Sequence, residues 1–315
     1  MLSPAALMLA AVGSVTGIVV GAIPGLTGAM LIALALPLTF SMQSELALVL
    51  LVSMYVGSVS GGLVTATLLR MPGTPASMMT TLDGYPMSER GDAGRALALG
   101  VGGSFIGGMI SWCFLFGLAE PMAQWSLSFG PFEFFALVMV AMVLIASIGG
   151  KSLSLGLFSG ALGVLIAMPG SSPATGAQRL TFGIHELDDG FKLLPVLIGL
   201  FAVNQVIRQV TLRDQAHKAT AIAPKYRFDF RRGDLSKHGF NLFRSSLIGT
   251  WIGILPGIGA NVGSVVAYAA AKRASKQPEK FGHGSEEGVV ASETANNATV
   301  GGALIPLVSM GIPGS

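Results

Sequence analysis

The chain has 315 residues, 51% hydrophobic and only 11% charged, with a mean hydropathy of +0.68. A soluble domain carries about a quarter charged residues, so composition excludes a water-soluble globular fold and makes lipid the expected solvent. The net charge of +3 is spread over loops between apolar stretches, which argues against nucleic-acid binding. One cysteine, Cys113, with four scattered histidines offers neither an intrachain disulfide nor a metal site.

A spanning helix needs about 20 apolar residues. Apolar segments are expected at 5–23, 29–40, 46–69, 96–118, 134–148, 153–168, 191–207, 240–255, 262–271 and 289–310. Segments 29–40 and 262–271 are too short to span, and each follows a Pro-Gly break, Ile23-Pro24-Gly25-Leu26 and Leu255-Pro256-Gly257-Ile258. Basic residues set orientation. Arg208, Arg213, Lys218, Lys225, Arg227, Arg231, Arg232, Lys237 and Arg244 place 208–244 on the cytoplasmic side, and Arg70, Arg90 and Arg95 place 70–95 there too. The acidic loop 168–190 and the stretch 119–131 are expected outside.

Segments 240–255 and 262–271 then begin and end at cytoplasmic charges, the latter at Lys272, Arg273, Lys276 and Lys280. They form a re-entrant hairpin with Pro256–Asn261 at its tip. Residues 5–40 form a matching hairpin from the outside. The motifs downstream also match. Gly61-Gly62 pairs with Gly301-Gly302, and Met71-Pro72-Gly73-Thr74-Pro75-Ala76-Ser77 with Gly311-Ile312-Pro313-Gly314-Ser315.

The expected fold is an all-α polytopic membrane protein. It has inverted repeats with Pro-Gly-broken re-entrant helices, as in an elevator- or rocking-type transporter. The expected organisation is a first repeat at 1–95, made of a hairpin, a span and a motif loop. Four transmembrane spans follow at 96–207, then a basic cytoplasmic loop at 208–239 and an incomplete second, inverted repeat at 240–315.

Backbone groups freed by Pro and Gly must be buried in protein or line a wet cavity. A helix that starts at such a tip offers N–H groups and partial positive charge to a carboxylate. The candidate substrate cradle is Pro24, Gly25, Thr27, Gly28, Gly73, Thr74, Ser77, Pro256, Gly257, Gly259, Asn261, Asn297, Gly314 and Ser315. Its neutral donors and acceptors suit reversible binding. Glu293 lies within an apolar segment, one turn from Asn296 and Asn297, where a carboxylate is costly and points to function. Glu293 and Asn296 are the ion-coupling candidates, for sodium or a proton. Asp83, in Leu82-Asp83-Gly84-Tyr85-Pro86, carries a turn signature. Glu133 suits a helix N-terminus, and Tyr55 and Tyr268 are expected to pack. No phosphate-binding loop and no catalytic set is present, so no enzyme activity and no cofactor is expected beyond sodium as a coupling ion.

Several stretches resemble the large membrane subunit (TctA) of the tripartite tricarboxylate transporter family. They are Gly21-Ala22-Ile23-Pro24-Gly25-Leu26, Met71-Pro72-Gly73-Thr74-Pro75 with Thr81-Leu82-Asp83-Gly84-Tyr85-Pro86-Met87, Leu255-Pro256-Gly257, Pro278-Glu279-Lys280-Phe281-Gly282 and Glu286-Glu287-Gly288-Val289 with Asn296-Asn297. The resemblance implies a bacterial inner-membrane, multi-pass permease importing small carboxylates such as citrate, driven by sodium or protons. It implies two partners besides lipid, a small four-span membrane subunit and a periplasmic solute-binding protein. It places the family's motif regions on 24–28, 72–77, 256–261, Asn296-Asn297 and 313–315. Members of the family run longer, so a chain cut short inside the second repeat is expected. The alternative is a non-transporting fragment that only assembles with partners.

Overall fold

The computed structural model describes residues 3–23, 26–126, 130, 132–133, 135–136, 139, 153–171, 176–188, 190–191, 207, 229–231, 233–255 and 259–311. Both Pro-Gly tips, most of 134–148 and 191–207, the basic stretch 208–228 and 312–315 lie outside these residues. The chain divides into two compact units, Met1–Phe129 with Gln215–Ser315, and Gly130–Asp214.

In the first unit the expected apolar segments are helices: α1 (Pro4–Ala22), α2 (Gly28–Thr39), α3 (Ser44–Leu69) and a long α5 (Ala93–Ser126). The helix before α5, α4 (Met78–Glu89), was not expected. In the second unit α6 (Leu153–Ala167) precedes a small antiparallel pair, β1 (Gly170–Ser171) with β2 (Gln178–Arg179). There the Glu133 carboxylate accepts from the Gly130 amide at 2.8 Å, as expected for a helix N-terminus. Back in the first unit, α7 (Asp234–Ile254), α8 (Gly259–Ala274) and α9 (Glu286–Met310) complete the described helices. Among the described residues, three helices are long and apolar enough to cross a membrane, namely Pro4–Ala22, Ser44–Leu69 and the Ala93–Gln124 part of α5. The protein is therefore mostly helical and has membrane-spanning character.

Small residues bring the helices of the first unit unusually close. A Cβ on Gly17 would collide with the Met54 carbonyl, and one on Gly21 with the Ser58 carbonyl. From the other side, Gly57 faces the Ser14 carbonyl and Gly61 the Ile18 carbonyl. Numbers rise together on both helices, so α1 and α3 run parallel. Ala35 packs with Leu50 and Gly28 meets Ser58, so α2 runs back against α3.

The same pattern recurs at the other end of the chain. A Cβ on Gly249 would strike the Ala295 carbonyl, one on Gly253 the Thr299 carbonyl, and one on Gly302 the Thr250 carbonyl. Thus α7 and α9 run parallel. Gly263 approaches the Thr299 hydroxyl, whereas Tyr268 reaches Asp83, which lies beside Gly288, so α8 runs back against α9. In these contacts Met54 stands to Gly17 as Ala295 stands to Gly249, and Gly61 to Ile18 as Gly302 to Thr250. Likewise, Arg70 (φ +56°) and Gly311 (φ +68°) cap α3 and α9 in the left-handed conformation. Close approach of this kind is how helices associate where water supplies no hydrophobic drive.

Three helices start at one charged end. Arg95 on α5 grips Asp234 on α7 through two nitrogens at 2.5 and 2.6 Å, and Glu286 on α9 at 2.9 Å. Lys237 also reaches Glu286, at 2.5 Å. Acidic groups at helix N-termini are favoured by the helix dipoles. The loops assigned to one side by charge do meet here. The Arg95 guanidinium holds the Asp234 carboxyl below its usual range. His238 first, against the opposing cost of burial, then Arg95 and Lys237, hold Glu286 well below the usual carboxylate range.

Asp83 corrects the sequence expectation. It lies inside α4, not in a turn, and it is fully buried. One of its oxygens accepts from the amides of Gly282, Gly284 and Ser285 at 2.8, 2.9 and 2.8 Å, and the other from the Tyr268 hydroxyl at 2.8 Å. Gly282 and Gly284 adopt φ of +89° and +96°, which turns successive amides toward one point. A carboxylate with so distant a partner has no need to bond its own backbone, so the helix continues through it. Tyr268 packs edge-on against Phe281, as well as making this bond.

Three outcomes are expected. Gly21→Leu or Gly253→Leu should destabilise the protein by about 1–3 kcal/mol or more through overpacking. Gly108→Ala, where a Cβ meets nothing, should be silent in the same thermal-unfolding assay. Arg95→Met should cost about 3–5 kcal/mol by stranding buried Asp234, and adding Asp234→Leu should restore part of it. Because the folded Asp234 and Glu286 carboxyls titrate low, this contribution should be complete above the ordinary carboxylate range and fade only as pH falls through the depressed folded values. Asp83→Asn should cost about 1.5–3 kcal/mol and speed hydrogen exchange at Gly282, Gly284 and Ser285.

Candidate functional site

Helix α9 is polar at its centre yet buried. Ser292, Glu293, Thr294, Asn296 and Thr299 are 0% exposed and Asn297 is 4% exposed. Helices close around this stretch because glycines let them. Gly103 and Gly107 on α5 lie against Thr294, and Gly301 on α9 lies against Ser111. Ser111 also donates to the Ala298 carbonyl at 2.6 Å.

The polar side chains face three helices. The Thr80 hydroxyl on α4 donates to Glu293 Oε1 at 2.5 Å and lies 3.1 Å from Ser292 Oγ. Asn297 accepts from Ser60 on α3 at 2.9 Å and donates to Ser104 on α5 at 2.7 Å. Asn296 donates to the Val59 carbonyl on α3 at 3.5 Å. Ser104 and Asn296 also flank the Glu293 carboxyl. Glu293 Oε2 and Asn296 Oδ1 are buried and have no hydrogen-bond partner. Among the described residues no ion pair reaches Glu293.

Beside this cluster lies the motif after α3. Thr74 and Ser77 are buried; Ser77 accepts from the Thr74 amide at 3.3 Å and donates to its carbonyl at 2.8 Å. Their side chains crowd Gly62, while Gly73 sits against Thr65 and the Gly21 carbonyl at the end of α1. The Thr65 and Thr74 hydroxyls have no partner. Ser264 on α8 donates to the Ala76 carbonyl at 2.8 Å. Gly73, Thr74 and Ser77 therefore sit where α1, α3 and α8 converge. Ser77 leads directly into α4, whose Thr80 binds Glu293.

The other candidates fall apart from this cluster or outside the described residues. Thr27 caps α2 by accepting from the Met30 amide at 3.2 Å, and Gly28 meets Ser58. Gly259 starts α8 with φ +72°, and Asn261 is exposed on its first turn. Pro24, Gly25, Pro256, Gly257, Gly314 and Ser315 lie outside the described residues. Thr80, Ser104, Ser60 and Ser264 were missed. Each is an isolated hydroxyl in a helix, and nothing in sequence spacing separates it from hydroxyls that only bond their own backbone. A cavity of about 310 Å³ lies elsewhere, at the charged end, lined by Lys237, His238, Lys280, Ser285, Glu286 and Glu287 among others.

The model of the Tripartite tricarboxylate transporter TctA family matches residues 7–315. An Agrobacterium vitis protein, described as an uncharacterized 52.8 kDa protein in the TAR-I ttuC' 3' region, is 35% identical over 312 residues. The match covers 99% of this chain and 62% of that protein. A second A. vitis protein, from the TAR-II ttuC' 3' region, is 46% identical over 65 residues, 21% of this chain and 27% of its own. The chain thus spans about 62% of the length of the longer relative. No solved structure matches. The ordered Pro-Gly, Asp83 and Asn296-Asn297 motifs and a match over nearly the whole length agree: the chain belongs to the tripartite tricarboxylate transporter TctA family.

Proposed function

We propose that the chain is the large membrane subunit of an ion-coupled importer of small carboxylates in the bacterial inner membrane, working with a small four-span subunit and a periplasmic solute-binding protein. The single observation that carries this reading is the buried Glu293–Asn296–Asn297 cluster, a polar seam in an otherwise apolar helix packing. An intramembrane carboxylate is costly, and such residues mark ion and substrate paths.

The helix directions support inverted repeats. Ser60 on α3 meets Asn297 mid-way along α9, whereas Thr67 lies against Gly84, next to Asp83, which meets Gly288 at the start of α9. So α3 runs opposite to α9, and the unit α1–α2–α3 is opposed to α7–α8–α9. Helices α7 and α9 start at one end and α8 returns to it, which supports the hairpin reading. Each hairpin would carry its Pro-Gly break at the turn, where helix starts face a carboxylate. Glu293 and Asn296 serve the coupling ion. Thr74, Ser77 and Asn297 line the substrate side, together with the two tips. Substrate enters from the binding protein, and the opposed units move by an elevator or rocking step.

Proteoliposomes holding the chain with both partner subunits and the binding protein test the reading, using a panel of labelled mono-, di- and tricarboxylates. Ion-gradient-driven uptake of at least one is expected. Asn297→Ala should cut it about tenfold or more, the loss of one or two hydrogen bonds to a buried site, while membrane insertion stays normal. No carboxylate uptake under any gradient refutes the proposal.

A further inference from the structure

Glu293 is wholly buried and, among the described residues, has no cation paired with it, so its charge state follows from the few atoms around it. Thr80 supplies a donor to Oε1. Nothing donates to Oε2, and Asn296 Oδ1, one helical turn along, is equally without a donor. The two unpaired atoms are both acceptors, and two buried acceptors cannot satisfy one another.

We infer that the coupling ion is a proton carried on Glu293, and that this proton bonds Glu293 Oε2 to Asn296 Oδ1 within α9, on the stretch that also meets Thr80 of α4 and Val59 of α3. The inference rests on the transporter reading above. The step is balanced: the carboxylate takes one proton from water on the acidic side, gains an O–H bond, and returns the proton on the other side. One proton satisfies both orphaned atoms at once. A sodium ion needs several free oxygens in a shell, yet on this stretch of α9 only the Thr294 hydroxyl is unpartnered besides Glu293 Oε2 and Asn296 Oδ1, while Thr80, Ser60, Ser104 and Asn296 already serve protein bonds.

Among the described residues no other charge competes for the proton. On α4 the nearest charge is Asp83, filled by three amides and Tyr268. On α5 it is Arg95, which is ion-paired to Asp234 and Glu286. Helix α3 carries only Glu45, at its start. On α7, Arg244 bonds Asn241, and His238 faces Glu286. On α8 the cations Lys272 and Arg273 occupy the last turn. At the offset that equates Met54 with Ala295, the counterpart of Glu293 is Val52 and that of Asn296 is Tyr55, so the arrangement exists in one unit only. Coupling at this site thus depends on a single proton per chain.

The full chain in lipid nanodiscs tests this by infrared difference spectroscopy between acidic and alkaline buffer. A protonated-carboxyl band is expected that vanishes in Glu293→Gln, shifts in Asn296→Ala, and is identical in sodium and choline buffers. Thermal unfolding establishes that Glu293→Gln is folded; Thr80→Val, which removes only the Oε1 donor, should shift the same band if it is not. A band that sodium abolishes, or that survives in folded Glu293→Gln, overturns the inference. These readouts need no substrate and so fail or succeed apart from the transporter reading. With whichever carboxylate the panel identifies, an acid-outside gradient without sodium should drive accumulation. Glu293→Gln should lose that accumulation. Accumulation driven by sodium alone overturns the inference and leaves the transporter reading intact.

Discussion

The fold depends on one constraint: a helix rich in polar side chains, α9, is buried along most of its length in an apolar packing. Each amide and hydroxyl it carries must find a partner within the protein, because neither lipid nor water is at hand. Asn297 is answered by Ser60 and Ser104, Ser292 by its own backbone and Thr80, and Thr299 by the Ala295 carbonyl. These partners come from α3, α4 and α5, so satisfying α9 fixes the positions of three other helices at once.

Glycine makes that arrangement reachable. Close contact of backbones along α1 with α3, α7 with α9 and α5 with α9 leaves no room for a Cβ at the crossing points. Dispersion contacts over such surfaces supply the packing energy that the hydrophobic effect supplies in water. The charged end adds a second constraint. Arg95 ties the starts of α5, α7 and α9 together, and Asp83 ties α4 to the loop before α9. The polar centre is therefore held between a glycine-packed middle and a clamped end, and within it Glu293, Thr294 and Asn296 each keep one unpaired atom.

Most helices were legible as apolar runs, because a membrane segment must be apolar over its whole lipid-facing length. That signal failed for α4, whose composition is polar and contains Gly84 and Pro86. Its helix is stabilised by distant partners, Asp83 with the 282–285 amides and Thr80 with Glu293. The turn signature around Asp83 was a local reading of a residue whose bonds are all long-range. Glu293, Asn296 and Asn297 were legible because amides and a carboxylate in an apolar run are rare. Thr80, Ser60 and Ser104 were not, since serine and threonine are common in membrane helices and reveal their partner only in space.

The sequence by itself determined the solvent, the helical segments, the charged end and the membership in a transporter family, because these follow from composition, loop charge and ordered motifs. Only the tertiary structure decided which polar groups meet and which remain unpaired. It also decided that α1 runs with α3, that α7 runs with α9, and that Asp83 is a clamp. Those outcomes hang on backbone approach at glycines and on hydrogen bonds between residues hundreds of positions apart, as between Thr80 and Glu293, and no local pattern carries that information.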